Sequence, residues 1–210
     1  MMPPTNPAQA TGASCDESAD VRFEESRLAA EAAAGCRRSF ETLLGRFEVP
    51  ILHFLRVRGL GSEAEDVAQE VFLAAWRYRM RYDPARPYAA WIFTIARRLA
   101  CNHRRRRRPV AEADAVLAAV AAGPGPQEAA LRQSEGEAVW QVAGRVLTEP
   151  QLTALWLRYV EDLSIASIAG VLGRSLGSVK LLLHRGRRRL SLALGEEHAA
   201  TASKAPRRPR

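Results

Sequence analysis

Seven arginines and no acidic residue lie within residues 88–108, and six basic side chains and no acid lie within residues 174–192. A guanidinium fork donates two parallel hydrogen bonds to a phosphate, so each stretch reads as the footprint of a polyanion. A helix end that complements its own macrodipole accounts for one or two arginines. The unbroken run at 104–108 exceeds that. Two other groupings could do chemistry. Glu63, Asp66 and Glu70 crowd one short segment and could hold Mg²⁺ as in a metal-dependent nuclease. No carboxylate partner follows them in the basic segments. Cys101 and His103 have zinc-ligand character, but Cys36 and His53 lie elsewhere without paired spacing, so these read as isolated side chains. The expectation is no metal, no cofactor and no catalytic residue.

The chain has 210 residues, a net charge of +8 and 47% hydrophobic residues, enough for a buried core. Only Lys180 and Lys204 are lysines. In a chain so rich in Ala and Gly that bias also follows from base composition, so the placement of charge carries more than the Arg/Lys ratio. Residues 24–108 and 148–192 are basic, and the stretch between them is acidic. No apolar run approaches the ~18–20 residues of a membrane span, so no membrane insertion is expected. Residues 1–20 lack a charged start and an apolar stretch, so no secretory signal is expected. Three scattered cysteines, Cys15, Cys36 and Cys101, fit a reducing cytosol, and a cytoplasmic location is expected.

The elements that must position these groups all read as helices. Residues 1–23 are expected to be disordered. A short helix is expected over 24–34. Phe40, Leu43, Leu44, Phe47, Ile51, Phe54 and Leu55 then repeat at helical spacing over 37–58, with Pro50 a candidate kink and Gly59-Leu60-Gly61 as the stop. Ser62 with Glu65 resembles a capping box for a helix reaching Arg79, with Val67, Val71, Ala74 and Tyr78 as its stripe. A Pro-containing loop precedes a helix over 88–108 whose expected buried face is Ile92, Ile95, Ala96 and Leu99. Residues 109–133 read as a flexible linker, with at most a helical turn at 113–121. A coil of that length averages about 25–30 Å end to end. Stretched, it exceeds one DNA turn of about 34–36 Å. Four short helices are expected over 134–192, and a disordered basic tail over 195–210. The fold class is all-α, with two small helical domains, 24–108 and 134–194, joined by that linker.

Residues 164–180 contain the most informative pattern. Ser164 caps a helix with Ile165, Ile168, Ala169 and Leu172 inward, Gly173 makes the turn, and Ser175 caps a second helix with Val179 and Leu183 inward. This is a helix-turn-helix, and its acid-free second helix separates it from an ordinary helical hairpin. Residues at the start of that helix would meet base edges, and its arginine-rich end would meet phosphate.

Together the halves resemble the bacterial sigma-70 family in its short extracytoplasmic-function (ECF) branch. In the first half the resemblance rests on AEDVAQEVFLAAW at 64–76, WIFTIARRLA at 91–100 and the arginine run. In the second half it rests on LTEPQ at 147–151, LRYVEDLS at 157–164 and GSVKLLLHR at 177–185. The resemblance implies a transcription initiation factor that binds RNA polymerase core, recognises minus-ten and minus-thirty-five promoter elements and helps melt DNA. Its implied partners are the core enzyme, promoter DNA and an inhibitory anti-sigma factor. It implies a core-binding surface at Asp66, Gln69, Glu70 and Leu73. On the minus-ten side it implies Tyr88, Trp91, Arg97, Arg98, Asn102, Arg104 and Arg105. Of the aromatics, Tyr88 is the one expected to be exposed for base stacking, which is worth about 1–3 kcal/mol per base. On the minus-thirty-five side the expected residues are Arg174, Ser175, Ser178, Lys180, Leu182, His184 and Arg185. Leu181 and Leu182 stand where the family usually has Ser-Arg, and both are expected to face outward. The alternative is a helix-turn-helix regulator that acts without polymerase, which leaves the first domain without a role.

Overall fold

The computed structural model describes residues 13–107 and 135–203, and every regular element among them is helical. Helix α1 (Ala13–Ala33) starts well before the expected boundary. Residues 13–23, expected to be disordered, are helical; no Pro or Gly interrupts 13–34. Gly35, at φ +102°, turns the chain out of it.

Helix α2 (Arg37–Leu55) runs on through Pro50. Its irregularity falls later, in a π-helical turn over Arg56–Leu60, where Gly59 takes φ +81°. The expected capping box at Ser62 does not form: Gly61–Glu63 is a 3-10 turn, and α3 (Ala64–Tyr78) follows with Glu63 at its cap and no side-chain cap bond. The buried stripe of α3 is Ala64, Val67, Ala68, Val71, Phe72 and Ala75, while Tyr78 is exposed. The stripe is thus rotated from the expected one toward the larger Phe72.

Helix α4 (Tyr88–Arg107) packs on α3 and α2. Phe93 is fully buried and meets Phe54 edge to face, with ring centroids 5.2 Å apart. Ile95 and Leu99 are half-buried; Tyr88, Ala89, Phe93 and Ala100 share the core with Ile92 and Ala96.

The second module begins with α5 (Glu135–Val146). In α6 (Glu149–Tyr159), Pro150 occupies the first turn, where its missing donor is not needed, and the Gln151 side chain accepts the Thr148 N–H at 3.0 Å. Then come α7 (Ile165–Leu172) and α8 (Leu176–Ser203). Helix α8 overruns the expected end, so residues 195–203, expected to be a disordered tail, are helical. That stretch has no proline and is rich in Ala and Glu. Trp156 centres this module, buried against Trp140 at 4.9 Å.

The modules are not held apart. Helix α7 packs on α4, α5 packs on the π-helical turn, and one continuous apolar core runs through both. His53 and Phe54 of the first module contact the Trp156 ring at 4.9 and 5.8 Å. Gly144 of α5 lies so close to the π-helical turn that a Cβ there would be 2.5 Å from the Val57 carbonyl oxygen. The expected linker, with its candidate turn at 113–121, lies outside the described residues.

Candidate nucleic-acid interface

The helix-turn-helix forms as the spacing predicts. Ser164 Oγ accepts the Ser167 N–H at 3.1 Å, and Ser175 Oγ accepts the Ser178 N–H at 3.3 Å. Between them Gly173 is left-handed at φ 62°, ψ 40°, and the Arg174 N–H closes the turn on the Ala169 carbonyl at 3.0 Å. The two helices meet at 97°. Ile168, Leu172, Val179 and Leu183 are buried between them and α6.

That burial turns Arg174, Ser175, Lys180, His184 and Arg185 outward, with Ser178 half-buried and Ser175 Oγ donating to Ser178 Oγ at 3.0 Å. Leu181 is 45% exposed, as expected. Leu182 is not free: it is partly buried against the core, because helical spacing places it beside Val179. Sequence reasoning missed Gly186. It is buried where α8 crosses α6, and a Cβ there would meet Leu155 Cδ1 at 3.0 Å. This close crossing leaves Arg185, Arg187, Arg188 and Arg189 facing solvent.

On α4, Arg98, Arg104 and Arg105 are exposed and Asn102 is half-buried. Tyr88 corrects the expectation: it is 3% exposed, nested among Phe47, Tyr82 and Trp91 at 5.3, 5.5 and 5.4 Å. Its place at the inner start of α4 buries the ring, and burial pushes its phenol well above the usual range. Trp91, half-buried, is the more accessible ring. The loop before α4 is pinned by the Tyr82 hydroxyl, which donates to the Arg86 carbonyl at 2.8 Å.

Arg97 is also not free. Its Nε and Nη2 donate to Glu149 Oε1 and Oε2 at 2.8 and 3.3 Å. Arg58 donates to the same Oε1 at 2.9 Å and to Thr153 Oγ1 at 2.7 Å. Burial works against the Glu149 anion, but the bonds and charges of Arg97 and Arg58 outweigh it and hold its carboxyl below the usual range.

Asp66, Gln69, Glu70 and Leu73 all project from α3 into solvent, Leu73 with 66% of its surface exposed. Gln69 and Leu73 border a groove of about 750 Å³ between α2 and α3, floored by Phe40, Leu44, Leu52, Phe72 and Trp76 and rimmed by Glu41, Glu48 and Glu65. The groove was hidden in the sequence because its floor has the spacing of core residues. Glu63 turns from this ridge to His103, 3.0 Å away, and no group of three His, Cys, Asp or Glu side chains among the described residues is placed to hold a metal ion.

A right-angled helix-turn-helix and a second arginine-lined helix on one chain define a DNA-binding transcription protein of two helical modules. Residues 51–110 match the family Sigma-70 region 2, and residues 145–190 match Sigma-70, region 4. CnrH of Cupriavidus metallidurans is 32% identical over 177 residues, covering 80% of this chain and 92% of its own. CarQ of Myxococcus xanthus is 32% identical over 166 residues, 77% of this chain and 92% of its own. The ECF sigma factor SigW of Bacillus subtilis is 30% identical over 145 residues, 64% of this chain and 77% of its own. The solved structure of CnrH in complex with the cytosolic domain of CnrY superposes with a TM-score of 0.63 at 28% identity, over 82% of this chain and 98% of that one. The chain belongs to the sigma-70 family of RNA polymerase sigma factors, in its ECF branch.

Proposed function

We propose that this chain is the promoter-specificity subunit of RNA polymerase: it binds the core enzyme, directs it to promoters carrying minus-ten and minus-thirty-five elements, and helps to melt DNA. Phosphodiester chemistry stays with the polymerase. The observation that carries this reading is the pairing of a helix-turn-helix with a separate exposed ridge, Asp66, Gln69, Glu70 and Leu73, beside an apolar groove. A regulator acting without polymerase needs only the first. The match of residues 51–110 to region 2 gives the first module a role that this alternative leaves empty.

The first module, within 24–108, supplies the core-binding ridge on α3 and the minus-ten contacts Arg98, Asn102, Arg104 and Arg105, with Trp91 as the stacking ring. The second, within 134–194, reads the minus-thirty-five element with Arg174, Ser175, Ser178, Lys180, His184 and Arg185. Leu182, held against the core, shapes that helix, and the exposed Leu181 offers contact to a thymine methyl. CnrH is seen with CnrY, and RpoE of Bartonella quintana with the anti-sigma factor NepR, so an anti-sigma factor is the expected inhibitory partner here. Among the described residues no single helix is long and apolar enough to cross a membrane.

The test is gel filtration of purified core enzyme, this chain and genomic DNA fragments. The reading predicts that defined fragments are retained only when core and chain are both present. Equal retention by the chain alone would favour the polymerase-independent regulator.

A further inference from the structure

The seam between the modules, apolar where Phe54 meets Trp156, also encloses a charge cluster. Arg58 is buried to 1% side-chain exposure, and its polar partners come mostly from the other module: Glu149 and Thr153, with Cys101 Sγ the acceptor within its own at 3.3 Å. Its Nε is buried without a partner. Arg97 closes on the same carboxylate in a two-pronged contact. A buried charge cluster with an unsatisfied donor is a poor source of stability, because desolvation offsets most of the attraction. Two guanidiniums around one pair of anionic oxygens are, however, the geometry that binds a phosphodiester.

We propose that Arg58 and Arg97 form a binding site for a nucleic-acid backbone phosphate, and that in the free chain Glu149 occupies it as an internal phosphate mimic. The closed arrangement then masks the first module's DNA face until the modules part. The inference rests on the reading that the arginine face of α4 meets DNA, and it adds Arg58 to that face. It also explains Gly144. Any side chain there would strike the Val57 carbonyl, so glycine is what lets α5 seat on the π-helical turn and bring Glu149 to the two arginines.

Two independent lesions open the seam. Gly144→Ala wedges it sterically and, in a helix, favours α5 itself. Glu149→Gln removes the competing anion. Binding of the full chain, without polymerase, to a short fluorescein-labelled duplex of arbitrary sequence is followed by anisotropy across a salt series. Each variant is expected to bind at least about fivefold more tightly than the wild type. Adding Arg58→Gln to Gly144→Ala should reduce that gain and lower the log–log salt slope by about one. Unchanged affinity in both single variants, or a double variant that keeps the gain and the slope, overturns the proposal. Transcription by wild-type chain with core enzyme separates the two readings. If it starts at promoters while the variants bind DNA as the wild type does, the masking proposal alone fails. If it does not, the proposed function fails.

Discussion

Glu161 gives a prediction whose sign and size follow from its surroundings. It follows α6, with Trp156 Nε1 donating to its Oε1 at 3.3 Å. Burial pushes its carboxyl up to about 7; the Trp156 bond opposes this, and Glu25, on α1 of the other module, adds to it. The folded chain therefore holds this proton more tightly than the unfolded chain, whose carboxyl has an ordinary value of 4.5. Stability is unaffected by Glu161 below that value, falls as pH rises through the window from 4.5 to about 7, and stays reduced above it. At about 1.36 kcal/mol per pH unit the full loss is about 3 kcal/mol. His53 acts in the opposite sense, because burial lowers its pKa and so raises stability with pH near the ordinary histidine value of 6.5. Comparing the wild type with Glu161→Gln removes that contribution, and glutamine keeps an acceptor for Trp156. Thermal melts should show the variant about 6–12 °C more stable near pH 8 and converging on the wild type toward pH 4.5. Equal melting at the upper pH, or the same gap at both, would refute the reasoning.

Asp66→Arg should abolish co-elution with polymerase core while shifting stability by no more than about 0.5 kcal/mol, since Asp66 is exposed; gel filtration and thermal melts check both halves. Gly173→Ala should lose about 1–2 kcal/mol on urea unfolding, because an L side chain is forced into the left-handed region with open space around its Cβ. Stability equal to the wild type would mean that the turn relaxes. Arg185→Gln should weaken DNA binding by the core-bound complex and lower its salt slope by about one, measured by anisotropy, without altering the melting temperature.

The helix-turn-helix was legible because its signals are local: two serine caps, one turn glycine, and apolar residues at helical spacing all lie within residues 164–183. The acidic ridge on α3 was legible for the same reason. The seam was not. Arg58 and Glu149 are 91 positions apart, and each reads alone as an ordinary surface charge. Tyr88 looked free because its neighbours in sequence are a loop, whereas the rings that bury it include Phe47 of α2. Gly144 and Gly186 carry no local signal either, since each is explained only by the element packed against it. The early start of α1 and the late end of α8 were misjudged because small and charged residues were read as disorder, where stretches free of proline continue the adjoining helices.

Promoter-directed initiation is the claim on which everything else depends. Purified core enzyme is incubated with a library of genomic fragments, with and without this chain, and the 5′ ends of the transcripts are mapped. The account predicts new start sites, seen only when the chain is present, that share two upstream elements and vanish with Asp66→Arg. An unchanged set of start sites would contradict it.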